Sequence, residues 1–477
     1  MKKHLIIALL GLSIFATACS DDNSGDDPIV DNGNVVVVSG DIKASTTWTA
    51  DKIYLIKGFT YVTDAATLTI QPGTIIKGDK DSKGTLIITR GSKIIAEGTV
   101  DKPIVFTSNI GAGSRSKGDW GGLVLLGNAP GNNGTTAVIE GGPIPTVAGQ
   151  DAKYIQYGGT VPADNSGILK YVRVEYAGIA YAVDSEINGI TFGGVGSGTT
   201  VEYVQVYRSG DDAFEFFGGT VNAKHLVSVG TWDDDFDTDN GFSGNIQFAV
   251  AQRYPLEADQ SGSNGFESDN DKTGSLNAPK TSAVFSNVTI VGPMSSATTK
   301  INGFYQHAAQ IRRNSAISIF NSVFAGYPEG IFIDDASTLG LTSANFTSTG
   351  LVFANNLVYG ANSKSNELKG TVAGKAIFET SIRANNVFDN TLYAGALLTS
   401  PYLYPADISA TGVGSPMFTL LTGSLASTGA LFTDAKVSGT FFEKVAYKGA
   451  FGTADWTAGW ANFAPQAMPY TTPGAVK

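Results

Sequence analysis

Cysteine occurs once in 477 residues, at Cys19, so the chain can form no internal disulfide. Charged residues make up only 16% of it, too few for a coiled coil or for a charged disordered tail along its length. His307 has no partner histidine at metal-ligand spacing, which removes a zinc site from consideration. Basic residues are outnumbered, 32 Lys and Arg against 43 Asp and Glu. The resulting formal charge of −11 excludes the basic face that a nucleic-acid backbone requires. Long hydrophobic runs are equally scarce. The apolar stretch Leu5–Phe15 is about eleven residues, too short to span a bilayer, and no second segment reaches spanning length. There is no phosphate-cradling glycine loop with a lysine and no Gly-x-Ser-x-Gly elbow. Glycine, in contrast, is abundant at 58 residues, without the third-residue period of collagen, and 42% hydrophobic content is enough for a large core.

Residues 1–18 read as a secretory leader, with Lys2 and Lys3 ahead of the apolar stretch. They end in Ala16-Thr17-Ala18-Cys19, which resembles the lipobox of bacterial lipoproteins. That resemblance implies cleavage before Cys19 and its lipidation. Residues 19–35 then form an acidic tether, beginning Ser20-Asp21-Asp22-Asn23-Ser24-Gly25-Asp26-Asp27. Acids directly after the cysteine are similar to the export signal of Bacteroidetes surface lipoproteins. The implied location is the outer membrane, with acyl chains as the anchor and the protein facing outward.

From residue 36 the chain consists of short β-rich runs punctuated by Gly, Asn, Asp and Thr. Leu68-Thr69-Ile70, Leu86-Ile87-Ile88 and Ile104-Val105-Phe106 recur at 18-residue intervals, which predicts a solenoid with two strands per repeat. Leu169-Lys170-Tyr171-Val172-Arg173-Val174 and Val201-Glu202-Tyr203-Val204-Gln205-Val206 share one pattern. Asn321-Ser322, Asn355-Asn356 and Asn385-Asn386, each before an apolar pair, predict a stacked amide ladder at one corner. Together with Ile70-Gln71-Pro72-Gly73-Thr74 and Gly91-Ser92-Lys93-Ile94-Ile95-Ala96, these segments resemble the right-handed parallel β-helix of bacterial surface proteins. Gly118-Asp119-Trp120-Gly121-Gly122 and Asp455-Trp456-Thr457-Ala458-Gly459-Trp460 are similar to a Bacteroidetes lipoprotein family. The expected fold is all-β: a right-handed parallel β-helix over 36–400, of about 14–16 coils and roughly 70 Å. Residues 36–60 are expected to cap its start. Residues 401–477, with Trp456, Trp460 and Phe463, are expected to cap its last rung.

Chemistry concentrates in one region. Between Asp211 and Asp271 there are thirteen acids and two bases, Lys224 and Arg253. Asp211-Asp212-Ala213-Phe214-Glu215 and Asp233-Asp234-Asp235-Phe236-Asp237 are offset by 22 residues, about one coil, so Asp211 and Asp233 should share a corner with Phe214 and Phe236 stacked beside them. Carboxylates one rung apart repel. Hard oxygen ligands at this density suit Ca²⁺, and Asp211, Asp212, Asp233, Asp234, Asp235, Asp237 and Asp239 are the candidate ligands. The alternative is a solvated acidic corner whose Asp side chains cap turns. His307, Arg312 and Arg313 are the basic group placed to offset the acids.

Three functions fit this reading. The first is a non-enzymatic binding or adhesion scaffold with a glycan or surface protein as partner. The second is a polysaccharide lyase or glycosidase acting on acidic glycans. Ser209-Gly210-Asp211-Asp212 resembles the Gly-Asp-Asp element of polygalacturonases, but that family's Asn-Thr-Asp, Gly-His-Gly and Arg-x-Lys elements are not in place. A lyase would need Lys224, Arg253 or Arg208 as its base. The third is an accessory subunit of an outer-membrane complex.

Overall fold

A computed structural model describes residues 29–31, 33–139, 154–182, 185–336, 340–348, 350–371, 375–408 and 412–477. Cys19, the leader and most of the tether lie outside the described residues. Apart from the strand Ile29–Asp31, which runs antiparallel to Val35–Ile42, every strand of the main sheet pairs in parallel. The result is a right-handed parallel β-helix.

Each coil carries three strand segments, one on each of three sheets. On sheet I, Leu68 pairs with Ile94. On sheet II, Ile76 pairs with Phe106. On sheet III, Ile88 pairs with Leu125. This corrects the two-strand repeat. Leu68, Leu86 and Ile104 lie on sheets I, III and II, so the 18-residue step counts two strands along the chain, not one turn. With three strands to a turn there are fewer turns. Among the described residues sheet II, the longest, has twelve rungs from Val35–Ile42 to Val387–Asp389. At the usual rung spacing they span about 53 Å, shorter than the expected length.

Alternation sends every second side chain inward, where like residues stack along the axis. Phe214 and Phe236 stack at 5.7 Å, Phe192 and Phe216 at 5.0 Å, and Phe216 and Phe242 at 4.5 Å. Between sheets I and II the chain turns on a single left-handed residue per rung: Tyr171, Tyr203, His225, Phe248, Asn287, Asn321 and Asn355, with φ between 50° and 62°. For L-residues this conformation costs roughly 1–2 kcal/mol each. Stacking offsets part of that cost, because Tyr171–Tyr203 and Tyr203–His225 are in face contact at 4.5 and 4.2 Å. Next to this corner the expected amide ladder is present, with Ser322 N–H donating to Asn356 Oδ1 and Asn356 N–H to Asn386 Oδ1.

The ends are closed differently from expectation. Residues 36–60 are themselves the first rungs, and Val36, Val38, Tyr54 and Ile56 belong to the core. At the far end, helix α1 (Leu341–Thr347) precedes helix α2 (Lys375–Asn385), which buries Phe378 and Ile382 against the last rungs. Residues 401–477 are not an end cap. They run back along the corner between sheets I and II to the start of the solenoid. Gln252 Nε2 donates to Pro401 O, Asn321 Nδ2 to Leu431 O, Asn287 Nδ2 to Tyr447 O and Gln205 Nε2 to Asn462 O. Trp456 and Trp460 meet the Tyr203 ring edge-on at 6.5 and 6.0 Å, and Tyr470 and Val476 pack on Ile53, Ile75 and Val105. The reason is polar as well as apolar: the outward amides and guanidinium groups of these rungs need acceptors, and the backbone carbonyls of the returning segment supply them.

Candidate acidic cation site

Sheet III positions the acids. Phe214–Phe217, Phe236–Asp239 and Phe266–Ser268 each begin with an inward Phe, so the next residue faces out. Glu215, Asp237 and Glu267 are therefore in register on three successive rungs. At the corner leading into these strands a second ladder forms through backbone donors. Asp234 N–H donates to Asp212 Oδ1 at 2.8 Å, Asn264 N–H to Asp234 Oδ1, and His307 N–H to Asn264 Oδ1 at 3.0 Å. Two aspartates thus do a structural task that an asparagine does one rung later.

The two ladders converge. Carboxylate oxygens of Asp211, Asp212 and Asp233 lie within 4.8 Å of one another, and so do those of Asp212, Glu215 and Asp237. Asp212 and Glu215 are buried, and the other three are half-buried. Burial first, and the neighbouring carboxylates second, push Asp212 and Asp237 well above the usual carboxylate range, and Asp234 with them. Burial raises Asp233 to about 6. It raises Glu267 to about 7, with Arg312 pulling the other way. A calcium shell places oxygens about 2.3–2.6 Å from the ion, so opposed ligands are about 4.6–5.2 Å apart. Either group of three fits inside one such shell.

The remaining candidate ligands are elsewhere. Asp235 points to the other side of its turn, where it is fully buried 3.4 Å from Arg253 and accepts from Ser228 Oγ at 2.6 Å. Asp239 accepts from the backbone and side chain of Asn240 at the strand's end. Asp259 and Asp271 cap turns. Burial raises both, but hydrogen bonds led by Ser261 and Ser275 respectively outweigh it and hold them below the usual range. Both expected behaviours, convergence and turn-capping, are thus divided among different acids. Glu215 joins the cluster although it was not among the candidate ligands. Its signal was legible, since Phe-Glu-Phe and Phe-Asp-Thr place Glu215 and Asp237 at the same phase.

The basic groups are also distributed. Arg312 pairs with Glu267 and with Asp269 at 2.8 Å, Arg313 pairs with Asp269, and His307 Nε2 lies 2.9 Å from Glu329. All three bases considered for a lyase are committed to acids outside the cluster: Lys224 to Glu443 of the returning segment, Arg253 to Asp235, and Arg208 to two further acids. Arg208 is held by Glu257 at 2.9 Å and by Asp407. Lys117 lies over the Trp232 ring, beside Asp233 in sequence, and 3.7 Å from Glu257. Burial lowers its amine to about 8 despite the opposing pull of Glu257.

A family model described as a pectate-lyase-like beta helix domain matches residues 40–395. No curated protein and no solved structure matches the chain.

Proposed function

Because the chain belongs to the pectate-lyase-like β-helix domain family, we propose that it is a calcium-braced scaffold that binds anionic glycans at the cell surface. The observation that supports this most is the pair of carboxylate groups converging on Asp212, beside the outward face of sheet III. A dication there relieves the repulsion among the acids and offers its remaining coordination positions to a uronate or sulfate oxygen. Beyond the acids the same outward line continues through Gln310, Phe332 and Lys369, an aromatic and a cationic group suited to a sugar ring and its charge. In this reading acyl chains on Cys19 hold the scaffold to the outer membrane, and catalysis is not required.

The test is binding of polygalacturonate and of a neutral glycan, each with Ca²⁺ and with chelator. Calcium-dependent retention of the acidic polymer alone is expected. Equal retention of both polymers, or none, would refute the proposal. Membrane fractionation of Cys19→Ser tests the anchor, and release of the protein is the expected result. A second reading, a polysaccharide lyase, is favoured by one observation: Lys117 has its amine lowered to about 8 by burial, near the pH at which a base works best. Appearance of an unsaturated uronate product that is lost in Lys117→Met would replace the scaffold with the enzyme.

A further inference from the structure

We propose that the returning segment carries a lipid-binding face, by which the solenoid lies lengthwise on an anionic membrane surface with sheet III and its acids turned away. The segment is unlike the rest of the chain in charge. Residues 401–477 hold four acids and four lysines, so the formal −11 falls wholly outside them. From Ile408 to Thr433 there is no charged residue at all. The inner side of this stretch is already filled, since Phe418, Leu420 and Ala426 pack with the outward side chains of sheet II, Val291 and Val323 among them. Yet Val413, Met417, Leu421, Leu425 and Leu431 are exposed, Leu425 by 64%. Together they leave roughly 400 Å² of apolar side chain bare, the size of patch that often serves as a contact surface.

Lysines border these side chains. Lys448 N–H donates to Ala426 O, beside Leu425. Lys444 Nζ lies 5.0 Å from the Phe432 ring, next to Leu431. Among the described residues neither lysine, nor Lys436, is in an ion pair; Lys436 donates to Gly350 O, and Lys444 to Val437 O and Gly439 O. The acids of the segment are engaged, Asp407 with Arg208, Glu443 with Lys224, and Asp434 and Asp455 with the turns they cap. Exposed leucines between amines that lack a carboxylate suit a lipid headgroup layer, where lysine stems lie along apolar surface and the amines meet phosphates. A second copy suits the face less. A two-fold contact would bring the same lysines together, and Lys is depleted from protein interfaces. Charge also sets the orientation. The segment covers the corner between sheets I and II, so sheet III, with Glu215, Asp237 and Glu267, is the opposite side. An anionic surface repels that side and admits this one.

The experiment uses the full chain with Cys19→Ser, so that no acyl chain holds it and an introduced cysteine is its one thiol. An environment-sensitive fluorophore is attached at Leu425→Cys or, as the control, at Leu276→Cys in the loop that leaves sheet III. Both positions are exposed, and near-ultraviolet circular dichroism checks the fold. Vesicles of phosphatidylglycerol and phosphatidylethanolamine carry a spin-labelled lipid as quencher. Quenching at Leu425→Cys and not at Leu276→Cys is expected, with vesicle affinity lowered about tenfold or more by Lys444→Gln combined with Lys448→Gln. Equal quenching at both positions, which attachment through the N-terminal segment alone would give, would overturn the proposal. So would no quenching at Leu425→Cys, or an unchanged affinity in the lysine pair. Self-quenching at Leu425→Cys that grows with protein concentration in the absence of lipid would assign the face to a second copy and overturn it too.

Discussion

Removing calcium at two pH values separates a cation site from a merely acidic surface. In the metal-free protein Asp233 has its pKa raised to about 6 and Glu267 to about 7, both chiefly by burial. A carboxyl whose folded pKa lies above its unfolded one binds protons more tightly when folded. Its destabilising effect is therefore absent at low pH and grows as pH rises through the folded value. The metal-free protein is expected to melt higher at pH 5 than at pH 7.5, the reverse of an acid-labile protein. Calcium acts in the opposite window, because protons compete for the same oxygens. At a free ion concentration 100 times Kd, one ion stabilises by about 2.7 kcal/mol. Unfolding entropy near 2.1 cal/mol/K per residue makes the total for about 440 residues roughly 0.9 kcal/mol/K. One ion then raises Tm by about 3 °C. The assay is a melt with millimolar Ca²⁺ and with EDTA at both pH values. A calcium-dependent rise at pH 7.5 that vanishes at pH 5 is expected. Equal melting with and without calcium at pH 7.5 would refute the cation argument. A metal-free Tm that falls on acidification from 7.5 to 5 would refute the electrostatic one.

Other parts of the fold make separate predictions. Arg253→Met leaves Asp235 buried without its partner and should cost about 3–5 kcal/mol, largely restored by adding Asp235→Asn; urea denaturation checks both. Phe378→Ala in α2 opens the distal end of the core and should cost about 3–5 kcal/mol, with hydrogen exchange accelerating first in the last rungs. Asp234→Ala removes the acceptor for Asn264 N–H and should cost about 1–3 kcal/mol, whereas Asp234→Asn should be far milder, as thermal melts of the two would show.

The solenoid was legible because its strands repeat a buried-out-buried pattern between glycine-rich turns, and the 22-residue offset of Phe214 and Phe236 equals one coil. The coil count was not, because strands of all three sheets carry the same apolar pattern and periodicity alone does not say which sheet a run joins. Asp211, Asp212, Asp233 and Asp237 were legible as neighbours for the same reason as the two Phe residues. Asp235 was misplaced because consecutive residues of a turn point in different directions, and Arg253, on the neighbouring rung, lies on the side to which it turns. Helix α2 escaped notice since a single pair, Phe378 and Ile382, carries its apolar face. The path of the returning segment was not legible: its aromatics, Trp456, Trp460 and Tyr470, suit an end cap as well as a side strap, and the grips of Arg173, Gln205, Asn287 and Asn321 fall on backbone carbonyls that carry no sequence signal.

That segment brings the C-terminus home. Val476 packs on Ile53 and Ile75, Arg173 holds its carbonyl, and Lys477 Nζ lies 3.3 Å from Asp101, so both ends of the described chain meet at the first rungs. A pull on the two termini would enter and leave at one end of the molecule and would not load the twelve rungs between. The segment would have to peel away first, losing one carbonyl grip at a time. The tip bearing α2 would feel no force until the grip of Gln252 on Pro401 had gone. A fluorophore on Lys477 would likewise report from the base of the solenoid, and one on α2 from its far end.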